Sequence, residues 1–398
     1  MRCEPKTSGL KQETTPDVAR RQSVKSKLAA LAATLLVALA VACGGGSSSI
    51  NPPPPPPPGA NEWFFVENAS GNISGFSAAS GKLEPIPGSS ITFPLQFPTL
   101  LTNFAVKPDG TFLAAITINQ QQVATLQIVN IGTGGTLTLA PLTDVVGNPG
   151  GMAISSEGVI AITDVGSGTL QLRLVQNNLL FLGASAATGA LPQDAVFSSD
   201  GSRLYVGNNA GGTISVFTVS GQGATLQPVQ TAPLPVAAGE FPPTVVRVTL
   251  SASGRKFAAT TPDGRLFVGN VSPMDGTLSG FTETQLGTTA NLEEVVFDPS
   301  AQNVYTADLD NGGIFGFALG TGGSVTPLPG SPFSTGTLPG GPAGMVFNSA
   351  GDRLYAVMQG QAVFTYSRNT SSGQLALTGD VVSSGGFLAG RIVRVPAH

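Results

Sequence analysis

Ala195-Val196-Phe197-Ser198-Ser199-Asp200-Gly201-Ser202-Arg203-Leu204-Tyr205-Val206 is an apolar run, a small polar turn and a second β-prone run. The pattern recurs along the chain. Its first element returns as Phe104-Ala105-Val106, Met152-Ala153-Ile154, Val248-Thr249-Leu250, Val295-Val296-Phe297, Met345-Val346-Phe347 and, as the chain runs out, Ile392-Val393-Arg394-Val395. The spacing is 43 to 53 residues. A period in that range marks a repeat architecture, and four short strands per repeat mark a β-propeller.

Within each repeat a third, alternating run follows, as in Thr213-Ile214-Ser215-Val216-Phe217, and then a turn in which Gly precedes a β-prone pair. Ser80-Gly81-Lys82-Leu83, Asp275-Gly276-Thr277-Leu278 and Ser372-Gly373-Gln374-Leu375 are examples. Gly supplies positive φ in such turns, and branched or aromatic residues suit the pleated strands between them. Beyond the N-terminal leader no segment carries a 3.6-residue apolar period, so the fold class is all-β. The ends set the number of blades. Residues 62–93 hold the second, third and fourth strands of a repeat without a first, whereas Arg391–Val395 is a first strand without followers. The expectation is a seven-bladed β-propeller whose first blade is closed by the C-terminal strand, which removes two open edges.

The N-terminus reads as an export signal. Arg20, Arg21, Lys25 and Lys27 precede an apolar run from Leu28 to Ala42 that is too short for an ordinary membrane span. Ala40-Val41-Ala42-Cys43 resembles a bacterial lipobox, with Ala40 where Leu is usual, and this implies lipidation of Cys43. Gly44–Ser49 and Pro52–Pro58 then form a tether of flexible and polyproline parts. The domain reading is residues 1–42 signal peptide, 43–60 tether and 61–398 propeller, with signal and tether disordered. The chain is expected to be exported and lipid-anchored in the cell envelope. By resemblance to lipoprotein sorting, Gly44 after the Cys implies the outer membrane.

Charged residues make up only 11% of the chain. Beyond residue 42 there remain 12 basic and 20 acidic residues without a Lys/Arg cluster, which speaks against nucleic acid and anionic lipid as partners. Membrane contact is expected only through the anchor, and the protein is expected to be a monomer. Its two cysteines are Cys3 and Cys43, so the propeller has no disulfide and no thiol nucleophile. No metal site or cofactor is expected. Asp308–Gly312 resembles a calcium loop only superficially and reads as an inter-strand turn.

Aligning the repeats on one another gives a positional argument. The residue before each first-strand triplet is Asn103, Gly151, Asp194, Arg247, Glu294, Gly344 and Arg391. First strands line the channel of a propeller, so these residues should ring one channel mouth, with Gln193, Glu293 and Glu240 nearby. A carboxylate could activate water there and an arginine could stabilise an oxyanion, as lactone hydrolysis requires. The catalytic candidates are Asp194, Arg247, Glu294 and Arg391; the ligand-binding candidates are Asn103, Gln193 and Glu293. The same charges could instead pair, Asp194 with Arg247 and Glu294 with Arg391, and only knit blades together.

Leu328-Pro329-Gly330-Ser331-Pro332-Phe333-Ser334-Thr335-Gly336 and Ser349-Ala350-Gly351-Asp352-Arg353-Leu354-Tyr355-Ala356-Val357 resemble the bacterial lactonase-family seven-bladed propellers. The likeness covers about residues 62–398. That family includes 6-phosphogluconolactonases and carboxymuconate-lactonising enzymes, so the resemblance implies a lactone or related ester as substrate. Family members' proposed sites include an internal His, and this chain's single His is residue 398. The alternative expectation is a non-catalytic envelope propeller that binds a glycan, peptide or protein.

Overall fold

The computed structural model describes residues 62–398 apart from 79–80, 94–99, 178, 288 and 337–340. The signal, lipidation and tether assignments fall outside the described residues. What is described is seven antiparallel sheets. Blade 4, the blade of the opening sequence, runs outward as Pro192–Phe197, Arg203–Asn208, Thr213–Ser220 and Thr225–Pro233. Blade 1 is the composite one: Ala389–Pro396 is its innermost strand and pairs antiparallel with Glu62–Asn68, with Trp63 opposite Val395 and Val66 opposite Ile392. The innermost strands of successive blades contact one another around the whole ring. Blade 6 departs from four strands, because both Val325–Pro327 and the short Phe333–Ser334 pair with its third strand.

The core lies in the seams. Among the described residues there are seven apolar clusters, each shared by two adjacent blades. The seam of blades 7 and 1 joins Tyr355, Val357 and Val363 to Phe64, Val66 and Ile392, chain ends included. Such packing cannot be completed within one blade, which is why each repeat is stable only beside its neighbours.

Three seams carry a tyrosine latch as well. Tyr205, Tyr305 and Tyr355 occupy equivalent second-strand positions and are fully buried. Their hydroxyls donate to the carbonyls of Gly276 at 2.9 Å, Gly373 at 2.6 Å and Gly81 at 3.1 Å, each in the Gly-containing turn of the next blade. Those glycines have φ of 76°, 76° and 78°, and a Cβ at Gly373 would lie 2.7 Å from the Asn303 side chain. A left-handed residue pressed against its neighbour is a position only glycine fills without strain. Gly before a β-prone pair is therefore both a turn signal and a docking point for the preceding blade.

Candidate functional site

In six of the seven blades the register slips at the start of the innermost strand. The irregularity falls between Leu101 and Asn103, Pro192 and Asp194, Leu292 and Glu294, and Pro342 and Gly344, and at matching places in blades 1 and 3. A bulge of this kind re-aims the next side chain out of the normal alternation. Blade 5 pairs regularly, with Arg247 opposite Thr260. Two glycines of the ring make clearance for their neighbours. A Cβ on Gly151 would sit 2.7 Å from the Asp194 Cα, and one on Gly344 would sit 2.4 Å from the Gly390 carbonyl oxygen.

Asp194 is fully buried and satisfied on both oxygens. One accepts from Arg391 Nη2 at 2.8 Å, the other from the Val248 N–H at 3.1 Å. Blades 1 and 4 are as far apart as a seven-membered ring allows, so this bond crosses the channel. The pairings expected as purely structural, Asp194 with Arg247 and Glu294 with Arg391, are thus replaced by one between Asp194 and Arg391. Burial works against the Arg391 charge, but Asp194, Glu294 and Glu67 outweigh it and strengthen its hold on the proton.

Two carboxyls remain. Burial pushes the Glu294 carboxyl above its ordinary range, against the pull of Arg247, Arg391 and the Val295 N–H, which donates to it at 3.0 Å; Asp194 adds to the upward push. Glu67, on the second strand of blade 1, is pushed up to about 7 by burial, with Arg391, Arg247 and the Arg391 main-chain amide opposing. Glu67 is 7% exposed. Its carboxyl therefore changes charge near neutral pH, as a general acid or base at that pH must.

The half-buried Arg247 side chain has no ion pair and no hydrogen bond among the described residues, and its Nε is buried without a partner. Thr260 is fully buried and its Oγ1 has no partner either. In blade 3 the equivalent hydroxyl, on Thr163, exchanges hydrogen bonds with the Gly151 backbone at 2.7 and 3.3 Å. The orphaned atoms of blade 5 are thus a departure from what the repeat does elsewhere. Buried polar groups ordinarily find a partner, so a guanidinium and a hydroxyl left open on paired residues need an explanation.

Asp194, Arg247, Glu294 and Arg391 thus form one electrostatically coupled set, joined by Glu67. The binding candidates stand apart from it. Asn103 is buried and donates to the Gly150 carbonyl at 3.2 Å across the seam. Gln193 and Glu293 are half-buried, and neither figures in that set. Glu240 lies 3.8 Å from Arg265 of blade 5. His398 packs on Trp63, ring centroids 4.8 Å apart, at the opposite end of its strand from Glu67. The Asp308 loop is a turn: its carboxylate accepts the main-chain amides of Asn291, Asp310 and Asn311, each at 3.2 Å. No cluster of three metal-ligating side chains occurs among the described residues.

Glu67 is the residue that the first-strand alignment misses. Aligning second strands instead gives Glu67, Ile116, Thr163, Gly207, Thr260, Ala307 and Val357 at one position. One charge among small and apolar residues is the signal, and it marks the same mouth.

A seven-bladed propeller with a coupled, incompletely paired charge cluster at its channel is the class that fold and site define. Solved structures share the fold. A protein of Bacteroides uniformis described as a candidate 6-phosphogluconolactonase superposes with a TM-score of 0.69 at 18% identity, covering 84% of this chain and all of that one. Its counterpart from Bacteroides fragilis gives 0.68 at 14%, over 86% of this chain and all of that one. A periplasmic gluconolactonase of Pseudomonas aeruginosa gives 0.69 at 14%, over 85% of this chain and all of that one. At these identities the likeness is one of fold. No family model and no curated protein matches the chain.

Proposed function

We infer that the protein hydrolyses a lactone or related ester at this channel mouth, and that it does so outside the cytosol, held by lipid on Cys43. The observation that supports the reading most is a carboxyl of near-neutral proton affinity, Glu67, coupled to the Arg247 guanidinium, whose side chain has no hydrogen bond or ion pair among the described residues. In this mechanism Glu67 accepts a proton from water as the water oxygen bonds to the carbonyl carbon. Arg247 donates to the oxyanion that forms. Collapse breaks the bond between the carbonyl carbon and the ring oxygen, and the leaving alkoxide takes the proton back from Glu67. Arg391 is held by Asp194 and sets the local potential, and burial strengthens the hold of the neighbouring Glu294 carboxyl on its proton. A phosphosugar dianion fits poorly, because one of the two arginines is already neutralised by Asp194. Export points the same way, since a cytosolic phosphosugar lactone would not be met there.

A panel of sugar and aliphatic lactones, assayed by acid release, tests this. The expected result is turnover of at least one lactone, with activity rising with pH through about 7 and falling about 100-fold or more in Glu67→Gln. A panel without turnover, or an unaffected Glu67→Gln variant, would sink the hydrolase reading. A binding role then gains weight from a groove of about 530 Å³ on blades 6 and 7, where Ser367, Asn369 and Gln374 offer the hydroxyl and amide groups that suit a glycan.

A further inference from the structure

We propose that the channel mouth is a receptor for a singly charged carboxylate, seated on Arg247 and Thr260, and that it takes up a proton when the carboxylate binds. The proposal rests on the hydrolase reading only in that lactone opening produces such an acid; the binding itself stands on the arrangement of charges. Asp194 and Arg391 neutralise each other at 2.8 Å, and the second Asp194 oxygen is occupied by the Val248 amide. Neither Glu67 nor Glu294 forms an ion pair with Arg247, and no other described residue does. The guanidinium is therefore the uncompensated charge of the cluster whenever the two glutamic acids hold protons, as burial favours.

What remains open on Arg247 is specific. Its Nε is sealed from solvent and unpartnered, and the residue paired with it across the strand, Thr260, presents a fully buried hydroxyl that is also unpartnered. A guanidinium offers a planar fork of donors, which a carboxylate meets with two parallel hydrogen bonds. One excess positive charge matches one negative charge, so a monocarboxylate fits and a phosphate dianion overcharges the site. The acidic groups facing the seat are Glu67 from the second strand of blade 1, Glu294 from blade 6 and Asp194 from blade 4; the basic ones are Arg247 and Arg391. An arriving anion adds negative charge beside Glu67 and Glu294 and so strengthens their hold on protons. Binding should accordingly weaken as pH rises above neutrality, and it should draw a proton from the buffer.

Acetate, lactate and gluconate are the probes, titrated calorimetrically into the full chain at pH 7.5 in two buffers of different ionisation enthalpy. Acetamide, lactamide, gluconamide and inorganic phosphate are the controls. The expected result is binding of at least one monocarboxylate and not its amide, with uptake of a fraction of a proton up to one. Arg247→Gln should weaken binding about 10- to 100-fold. Glu67→Gln should keep the binding and reduce the proton uptake, and adding Glu294→Gln should abolish the uptake. Absence of binding by all three acids, equal binding of an acid and its amide, or tighter binding of phosphate would overturn the proposal. Monocarboxylate binding without turnover of any lactone would leave the receptor standing and the hydrolase reading refuted. Turnover without acid binding would do the reverse.

Discussion

Arg368 and Arg247 are arginines of one propeller in opposite conditions. Arg368, at the seam of blades 6 and 7, has a side chain 3% exposed and uses every nitrogen. It donates to Asp298 at 2.8 Å, Asn303 at 2.7 Å, the Tyr305 hydroxyl at 3.0 Å and the Gly351 carbonyl at 3.1 Å, and lies over the Phe347 ring. Arg247, at the channel mouth, uses none among the described residues. Burying a charge is tolerated when it is paired and hydrogen-bonded, and Arg368 meets that condition wholly within the protein. Arg247 is half-buried, and its sealed Nε has no such partner among the described residues. The seam arginine is a structural part, whereas the channel arginine is half of an interaction.

The contrast can be broken at several points. The largest effect should come from deleting residues 388–398. This removes the innermost strand of blade 1 with the buried Ile392 and Val395, opens the edge of Glu62–Asn68, and strips Asp194 of its Arg391 partner. Loss of the cooperative thermal transition, or aggregation, is expected on expression and melting. A truncated chain that melts like its parent would contradict closure by that strand.

Next comes Arg368→Ala, which leaves Asp298 buried without its ion pair and should cost about 3–5 kcal/mol by denaturant unfolding. Ligand affinity and turnover, measured where the variant is folded, should not change.

The third prediction concerns pH. Glu67 holds its proton to about 7 in the folded chain against an ordinary value of 4.5, so the folded state binds more protons than the unfolded one across that window. Its contribution makes the fold less stable as pH rises from about 4.5 to about 7, and constant beyond. Glu67→Gln should therefore be more stable than the parent at pH 8, by up to roughly 3 kcal/mol, and the gain should shrink to nothing near pH 4.5. A gain that does not depend on pH would show that Glu67 is not the titrating group.

The smallest effect should be Tyr355→Phe, which removes the latch to Gly81 while keeping the ring, at about 0.5–1.5 kcal/mol.

Much of this architecture is written in the residues. Apolar triplets and Gly-bearing turns recurring every 43 to 53 residues establish the blades, and the incomplete ends establish how the ring closes. Charges are scarce enough that their recurrence before the first strands points to the channel. The sequence does not reveal which arginine finds a partner. Asp194 with Arg247 and Glu294 with Arg391 are as plausible by sign as the observed Asp194 with Arg391, and only the reach across the ring decides. Glu67 escapes for a different reason. It lies one strand out from the channel, in the blade whose innermost strand arrives some 320 residues later, so no local pattern links it to Arg391. The Tyr–Gly latches are half legible: tyrosines and glycines stand out as repeated positions, but that they bond to each other requires the neighbouring blade.

The most direct test of the central claim is Arg247→Gln, with unfolding free energy and monocarboxylate affinity measured on the same preparation. Stability should be unchanged, since the half-buried guanidinium has no partner among the described residues to lose, and affinity should fall about 10- to 100-fold. A stability loss as large as that of Arg368→Ala, with carboxylate affinity unaltered, would show Arg247 to be one more structural arginine and would contradict the account.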